Sequence, residues 1–389
     1  MTLSDTAIQT RYDVVVAGAR PAGAGTALLL ARQGARVLLV DRSQYGSDTL
    51  STHALMRGGV LQLLRWGVLP RIVAAGTPPV SQATFIYGGE PLAVQVKPRD
   101  GVTALFAPRR TVLDRAIVDL ALEAGVQVAY GSRVVELEHR DDRVSGAVLA
   151  DREHTRRPVQ ASLVIGADGL RSEVARLVGA RTTRSGRWAT ANVFGYWSGL
   201  PVDGYRWYYS PGLSVGAIPT NDGRTCVFAS TPADMFNEIF KHDVAEGYRR
   251  VMEQAAPDLA EGMRHGRLDG PLHGFPGQAG FFRRSAGPGW ALVGDAGYFK
   301  DPLTAHGITD ALIEAEYLVR AIQAGTDRAL AAYEADRDAR TRELFDVTDR
   351  IASFTWTLDE ARSLHKQLAD AMSAEVKALN ALTREEIPA

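Results

Sequence analysis

The chain has 389 residues, with 44 basic against 45 acidic side chains and a formal net charge of −1, a balance that excludes the electrostatic signature of a nucleic-acid or acidic-membrane binder. A hydrophobic share of 46% supports a sizeable core, and the length allows two domains or one large domain with an insertion. One cysteine, Cys226, excludes an internal disulfide and a multi-cysteine metal site, so no metal is expected. No run of about 18 apolar residues is present. Residues 1–6 lack the basic-then-apolar order of a signal peptide, so a cytoplasmic location without a membrane span is expected.

Residues 12–41 read as strand, glycine turn, helix and strand. Val14, Val15 and Val16 suit a buried parallel strand, and Gly18 makes the turn. Ala22 and Gly23 let the following helix approach the sheet, Ala24 to Gln33 favour that helix, and Gly34 stops it. Val37 to Val40 form the next strand, which ends at Asp41, placed to bond a ribose 2′-hydroxyl. The G-x-G-x-x-G pattern of a dinucleotide site is broken by Arg20, where glycine would admit a pyrophosphate. The expectation is that Arg20 holds its Cβ aside and brings a guanidinium near the phosphates. An ordinary strand–helix–strand unit with a glycine turn is the alternative.

A polar loop over 43–52 leads to a predicted helix from His53 to Gly67. Arg42, His53 and Arg57 are candidate cofactor contacts; solvated arginines and a helix-start histidine are the competing reading. Residues 82–97 predict a hairpin around Gly88-Gly89, and Arg109 to Asp114 open a helix that ends near Gly125. Short strands are predicted at 127–130, 133–139, 144–149 and 158–165, the last running into Gly166-Ala167-Asp168-Gly169. From 188 to 231 aromatic residues and turns point to a separate antiparallel sheet. Beyond it lie a helix over 234–254, an irregular stretch over 275–288, a buried strand over 290–293 that leads into Gly294-Asp295, and helices over 308–324 and 327–372. The fold class expected is α/β. A Rossmann-like three-layer domain is assembled from 1–81, 98–185 and 276–330, with an inserted, mainly antiparallel sheet domain from 82–97 and 186–275. A helical C-terminal region occupies 331–389.

Three stretches, 14–41, 166–176 and 292–311, resemble in order and spacing the FAD-dependent, aromatic-hydroxylase-type (group A) flavin monooxygenases, whose fold geranylgeranyl reductases and flavin-dependent halogenases share. The resemblance implies that the three-layer domain binds FAD. The family's D-G-x-x-S-x-x-R appears as Asp168-Gly169-Leu170-Arg171-Ser172, with Ala175 at the usual arginine position and Arg176 one place late; it implies a cofactor contact by Asp168. The stretch from Gly294 and Asp295 to Pro302 matches the motif whose aspartate bonds the ribityl chain and whose proline lies beside the flavin ring. Ala305, Gly307 and Ile308 then direct amides at the pyrimidine end. Here Tyr298 replaces the usual histidine, and Ala305-His306 replaces Gly-Gln. Arg110 of an R-x-x-L-D helix start is a further implied contact, with a structural arginine as the alternative.

The activity implied is an NAD(P)H- and O₂-dependent hydroxylation of an aromatic or polyketide-like small molecule through a flavin C4a-hydroperoxide. His306 and His53 are the candidate catalytic groups, although His306 also reads as a polar helix-start residue. With no second nucleotide motif, NADPH or NADH would bind transiently, or a partner flavin reductase would supply electrons. The halogenase W-x-W-x-I-P stretch is missing; its nearest counterpart is Tyr205 to Tyr209. Of Phe194, Tyr196, Trp197, Trp207, Tyr208 and Tyr209, at most about half can face a cavity, because side chains alternate along a strand. Reduction of isolated double bonds is the alternative activity, and a non-enzymatic flavin sensor is the alternative of another class.

Overall fold

The computed structural model describes residues 8–384, with the side chains of 383 and 384 excepted; the reading of residues 1–6 lies outside these limits. The chain opens with β1 (Arg11–Ala17), α1 (Pro21–Arg32) and β2 (Val37–Asp41). Pro21 at the first helical position needs no amide partner, which suits the abrupt start of α1. Next come α2 (Arg57–Arg65), α3 (Leu69–Ala74), the hairpin β3 (Gln82–Tyr87) and β4 (Glu90–Gln95), α4 (Arg110–Glu123) and β5 (Gln127–Tyr130). A meander follows, β6 (Arg133–Arg140), β7 (Arg143–Ala150) and β8 (Arg156–Gly166), then α5 (Glu173–Leu177) and β9 (Thr182–Ser185). The second half carries β10 (Thr190–Ser198), β11 (Tyr205–Ser210), β12 (Leu213–Pro219), β13 (Arg224–Pro232), α6 (Phe236–Phe240), α7 (Val244–Ala255) and α8 (Pro257–His265). Five short strands, β14 (Arg267–Leu268), β15 (His273–Phe275), β16 (Phe281–Arg283), β17 (Ala286–Gly287) and β18 (Trp290–Leu292), precede β19 (Tyr298–Phe299). Three long helices close the chain, α9 (Gly307–Gln323), α10 (Asp327–Ala352) and α11 (Leu358–Arg384).

The first sheet runs β18-β8-β1-β2-β5 in parallel, the order of a Rossmann-like unit. Its strands are apolar on both faces because both are covered. Val14, Val16 and Leu39 pack with α1 and α4, while Val15, Leu38 and Val40 pack against β6 and β7. These are the three layers. A second sheet, β14-β10-β13-β12-β11-β3-β4, takes the early hairpin beside β11. Its outer face, with Val193, Val215 and Val227, is covered by α6 to α8. Its inner face packs into the core of the first domain.

Four local expectations change. His53 is not helical: it has φ +67°, and α2 starts only at Arg57. The helix begins where glycine allows close packing, since a Cβ on Gly59 would stand 2.7 Å from Thr309 Oγ1 of α9. The helix read over 234–254 is broken before Val244, where the Asp243 carboxylate accepts from the Glu246 amide and starts a new helix. The helix read over 327–372 is two helices. Phe354 turns the chain with φ +53°, and Thr357 with Glu360 forms a reciprocal cap that restarts it as α11. The stretch 275–288, read as irregular, contains β16 and β17.

Candidate cofactor and substrate site

The site is built where the parallel strands end and the inner face of the second sheet begins. At the first turn Gly18 has φ +105°, and a Cβ there would meet the Ala167 carbonyl oxygen at 2.2 Å. A Cβ on Gly23 would lie 1.8 Å from the Gly18 oxygen, so only glycine lets α1 seat this closely; Ala22 is buried beside it. Asp41 uses both carboxylate oxygens locally: one accepts from the Ala19 amide at 2.7 Å, the other from the Ser43 amide at 2.7 Å. Arg20 turns its guanidinium to Asp114 (2.7 Å) and to the Ser47 carbonyl oxygen (3.0 Å). Arg110 reaches the same carboxylate at 2.9 and 3.1 Å, so two guanidinium groups share Asp114 at the head of α4. Arg42 is exposed, and Arg57 bonds the carbonyls of Lys97 and Val102, which ties down the loop after β4.

Asp168 accepts from the Ser172 hydroxyl (2.5 Å) and from the amides of Glu173 (2.7 Å) and Val174 (3.2 Å), so its carboxylate organises the start of α5. Burial raises its pKa against these hydrogen bonds. Asp295 differs from the other motif aspartates. Half-buried after β18, its carboxylate has no hydrogen-bond partner among the described residues, and burial, reinforced by the Asp310 charge, pushes it up to about 6. Gly294 has φ +63°, and its amide donates to Glu314 of α9 at 2.9 Å; burial pushes the Glu314 carboxyl up to about 7.

The loop from Pro302 to His306 joins the two sheets. Asp301 accepts from the Thr190 amide (2.6 Å), the Thr190 hydroxyl (2.7 Å) and the Leu303 amide (2.9 Å). Pro302, Ala305 and Ile308 are half-buried, and Ala305 has φ +50°. Gly307 at the first turn of α9 is exposed, with nothing within 4 Å of where a Cβ would stand. His306 is 1% exposed; its Nε2 lies 2.8 Å from Glu375 Oε2 of α11, and its Nδ1 has no partner.

The inner face of the second sheet is aromatic. Alternation puts Phe194, Tyr196, Trp207 and Tyr209 inward with Tyr205 and Phe228, whereas Trp197 and Tyr208 face α7 and α8 through Tyr248 and Asp258. Four of the six aromatic residues singled out therefore turn inward, more than the half that alternation allows on average. Tyr205, Trp207 and Tyr209 sit at every second position of one strand, and Phe194 and Tyr196 do the same on another. His53 approaches this face: its Nε2 is 2.5 Å from the Tyr196 hydroxyl, and Arg109 lies 3.8 Å over the Tyr196 ring. Burial, with Arg110 and Arg109 nearby, lowers its pKa to about 3, so the ring is neutral at physiological pH.

The candidate residues thus fall into two groups. Gly294, Asp295, Pro302, Ala305, His306, Gly307 and Ile308 lie along one run from the end of β18 to the first turn of α9, and the Arg110 charge acts on Asp295. Arg20, Arg110, Asp41 and Asp168 are engaged by protein partners, and His53 by Tyr196. Residues that sequence reasoning missed are Glu375, Asp114 and Arg109. Asp114 closes the R-x-x-L-D stretch and was legible there; Glu375 lies 69 residues beyond His306 in a charged helix, where no local pattern marks it.

An adenine dinucleotide fits this donor set. A carboxylate with no protein hydrogen bond among the described residues, a tight glycine turn at the end of a parallel strand and the exposed first residue of a 17-residue helix suit its ribityl, phosphate and ring ends, although Arg20 stands where the dinucleotide pattern has a glycine. The model of the FAD binding domain family matches residues 11–348. The chain belongs to this FAD-binding family. Among curated relatives of this FAD-binding protein, the digeranylgeranylglycerophospholipid reductase of Methanocella arvoryzae is 25% identical over 352 residues, 87% of this chain and 86% of that protein. The menaquinone reductase of Mycolicibacterium smegmatis is 28% identical over 331 residues, 77% of this chain and 74% of that one. Among solved structures, the flavin-dependent brominase Bmp2 superposes with a TM-score of 0.77 at 19% identity, covering 97% of this chain and 100% of that one. Pseudomonas aeruginosa PqsL in complex with 2-aminobenzoylacetate gives 0.76 at 20% identity, covering 93% and 100%. The fold is that of flavin-dependent monooxygenases and halogenases, and the protein is a flavoprotein oxidoreductase by family. Among the described residues no helix is long and apolar enough to cross a membrane.

Proposed function

We propose that this FAD-binding protein is an NAD(P)H- and O₂-dependent monooxygenase that hydroxylates a flat aromatic or polyketide-like small molecule. The reading is supported by the aromatic character of the inner face of the second sheet, where Phe194, Tyr196, Trp207 and Tyr209 lie in the same packed core as Leu303. Bound FAD, once reduced by NADPH or NADH, supplies the electrons that activate oxygen. Asp295, whose carboxylate has no protein hydrogen bond among the described residues, would hold the ribityl chain, and the turn at Gly18 would lie at the phosphates. Gly307 and Ile308 offer amides at the N-terminus of α9, where negative charge is stabilised. Phe194, Trp207 and Phe228 supply apolar ring surface in the core beside the second sheet, and dryness matters because activated oxygen is lost to solvent in a wet site. His53, neutral and bonded to Tyr196, orients the phenol at the edge of that surface.

A second reading, reduction of an isolated double bond, is favoured by the curated relatives, which are named as reductases and match across most of the chain. Reaction in ¹⁸O₂ with NADPH and a panel of phenolic and prenylated compounds separates the two. One labelled oxygen in the product is expected. A product that gains two hydrogens and no label sinks the oxygenase reading in favour of the reductase. No NAD(P)H oxidation with any compound favours a flavin sensor.

A further inference from the structure

Asp295 follows Gly294, which has φ +63°, and the turn that carries the pair is held from the helix side. The Gly294 amide donates to Glu314 Oε2 of α9 at 2.9 Å, and the Tyr333 hydroxyl of α10 donates to the Leu292 carbonyl oxygen at 3.0 Å, so both neighbours of Val293 are pinned. From the other side, a Cβ on Gly294 would stand 2.9 Å from the Ala22 Cβ of α1. The turn is thus wedged between two helices. Glu314 is fully buried in a stretch of α9 that is otherwise apolar, with Ala311, Leu312, Ile313 and Ala315 around it in sequence, and its Oε1 has no partner among the described residues. A buried carboxyl is costly in such surroundings unless hydrogen bonds offset it. The shorter contact of Oε2, 2.9 Å against 3.4 Å from the Tyr333 hydroxyl, goes to the residue before Asp295. The charges that act on Asp295 itself are those of Asp310, Arg110 and Lys300, so Glu314 reaches it through the backbone.

We propose that Glu314 is a positioning residue for FAD: by accepting from the Gly294 amide it fixes the turn that presents the Asp295 carboxylate, and it sets cofactor affinity through Asp295. The inference rests on the ribityl contact proposed for Asp295 and is independent of whether the substrate is oxygenated or reduced. What the turn requires is an acceptor of the right reach. A glutamine side chain supplies one as a glutamate does, whereas an aspartate keeps the charge and falls one methylene short.

The test is the FAD dissociation constant of the full chain, stripped of flavin and titrated by fluorescence quenching, with thermal melts of the FAD-free chain beside it. Glu314→Gln is expected to stay within about twofold of wild type, because the acceptor is kept. Glu314→Asp and Glu314→Met should each weaken binding about tenfold, the scale of one buried hydrogen bond lost. In an Asp295→Asn background Glu314→Asp should add no more than about twofold, since residues that act as one unit are not additive. Wild-type affinity in Glu314→Asp overturns the proposal even where the variant melts lower, because that pattern marks a merely structural residue. Equal losses in Glu314→Gln and Glu314→Asp overturn it as well, the rescue by reach being absent. So does a full further loss in the Asp295→Asn background, which places the action of Glu314 elsewhere. Should Glu314→Met not fold, Glu314→Asp decides alone. A wild-type chain that takes up no FAD, or an Asp295→Asn variant that binds it as wild type does, refutes the cofactor contact together with the proposal, and only those outcomes do both.

Discussion

Asp295 is the residue where stability and function pull apart. Its carboxyl titrates at about 6 in the fold against about 4 in an unfolded chain, because burial and Asp310 disfavour its charge. Between these values the folded state binds the extra proton, so raising the pH through this window removes stability from the FAD-free protein. Asp295→Asn does not ionise. It is expected to melt at the wild-type temperature near pH 4 and to gain up to about 1–3 kcal/mol by pH 8. The same substitution should weaken FAD binding by about 1–3 kcal/mol, the scale of a charged hydrogen bond left unmade. Thermal melts across pH and FAD titration by fluorescence quenching measure the two halves. A variant with unchanged FAD affinity shows that the ribityl contact lies elsewhere, whatever the melts show.

At the scale of elements, the aromatic wall depends on one glycine. Gly216 of β12 lies under Phe228, and a Cβ there would stand 2.1 Å from the ring. Gly216→Ala must displace that ring or its strand, and overpacking of this kind costs about 1–3 kcal/mol. A denaturant midpoint equal to wild type would mean that the ring moves freely and the wall is soft. The elements themselves were largely legible. Val14 to Val16 and Val37 to Val40 are continuous apolar runs that only a doubly covered strand explains, and β3 to β8 follow from alternation and Gly or Asp turns. What escaped is tertiary in origin. The start of α2 is set by Thr309 of another helix against Gly59 and has no sequence pattern of its own, whereas the restart of α11 carries one, the Thr357-to-Glu360 capping box inside the stretch read as a single helix. At the site, Asp295 is singled out by its motif and His306 by the chain's departure from it, whereas the partners of Arg20 and His306 depend on residues 94 and 69 positions away.

At the scale of the whole molecule, α11 ties the second sheet to α2 of the first domain. His365 touches Tyr87 (Nδ1 to hydroxyl, 2.9 Å) and lies tilted against Tyr209 of the second sheet, while Val376 and Asn380 reach α2. Burial lowers the His365 pKa to about 4, below its unfolded value of 6.5. The neutral ring therefore contributes stability above pH 6.5 that is lost as pH falls towards 4. Amide hydrogen exchange in residues 358–384, corrected for intrinsic rate, should accelerate over that window relative to α9, and His365→Phe should flatten the change above about pH 4.5. Uniform acceleration along the whole chain would remove α11 from the explanation.

That helix also acts mechanically. The chain passes between the two sheets several times, and each crossing is a strip of backbone that can bend as a hinge. A rigid rod fastened to both bodies does not bend; it must shear. Opening on the side that α11 spans therefore breaks many contacts at once, whereas opening on the far side only flexes loops. On the proposed function, substrate and product are therefore expected to pass on the side away from α11.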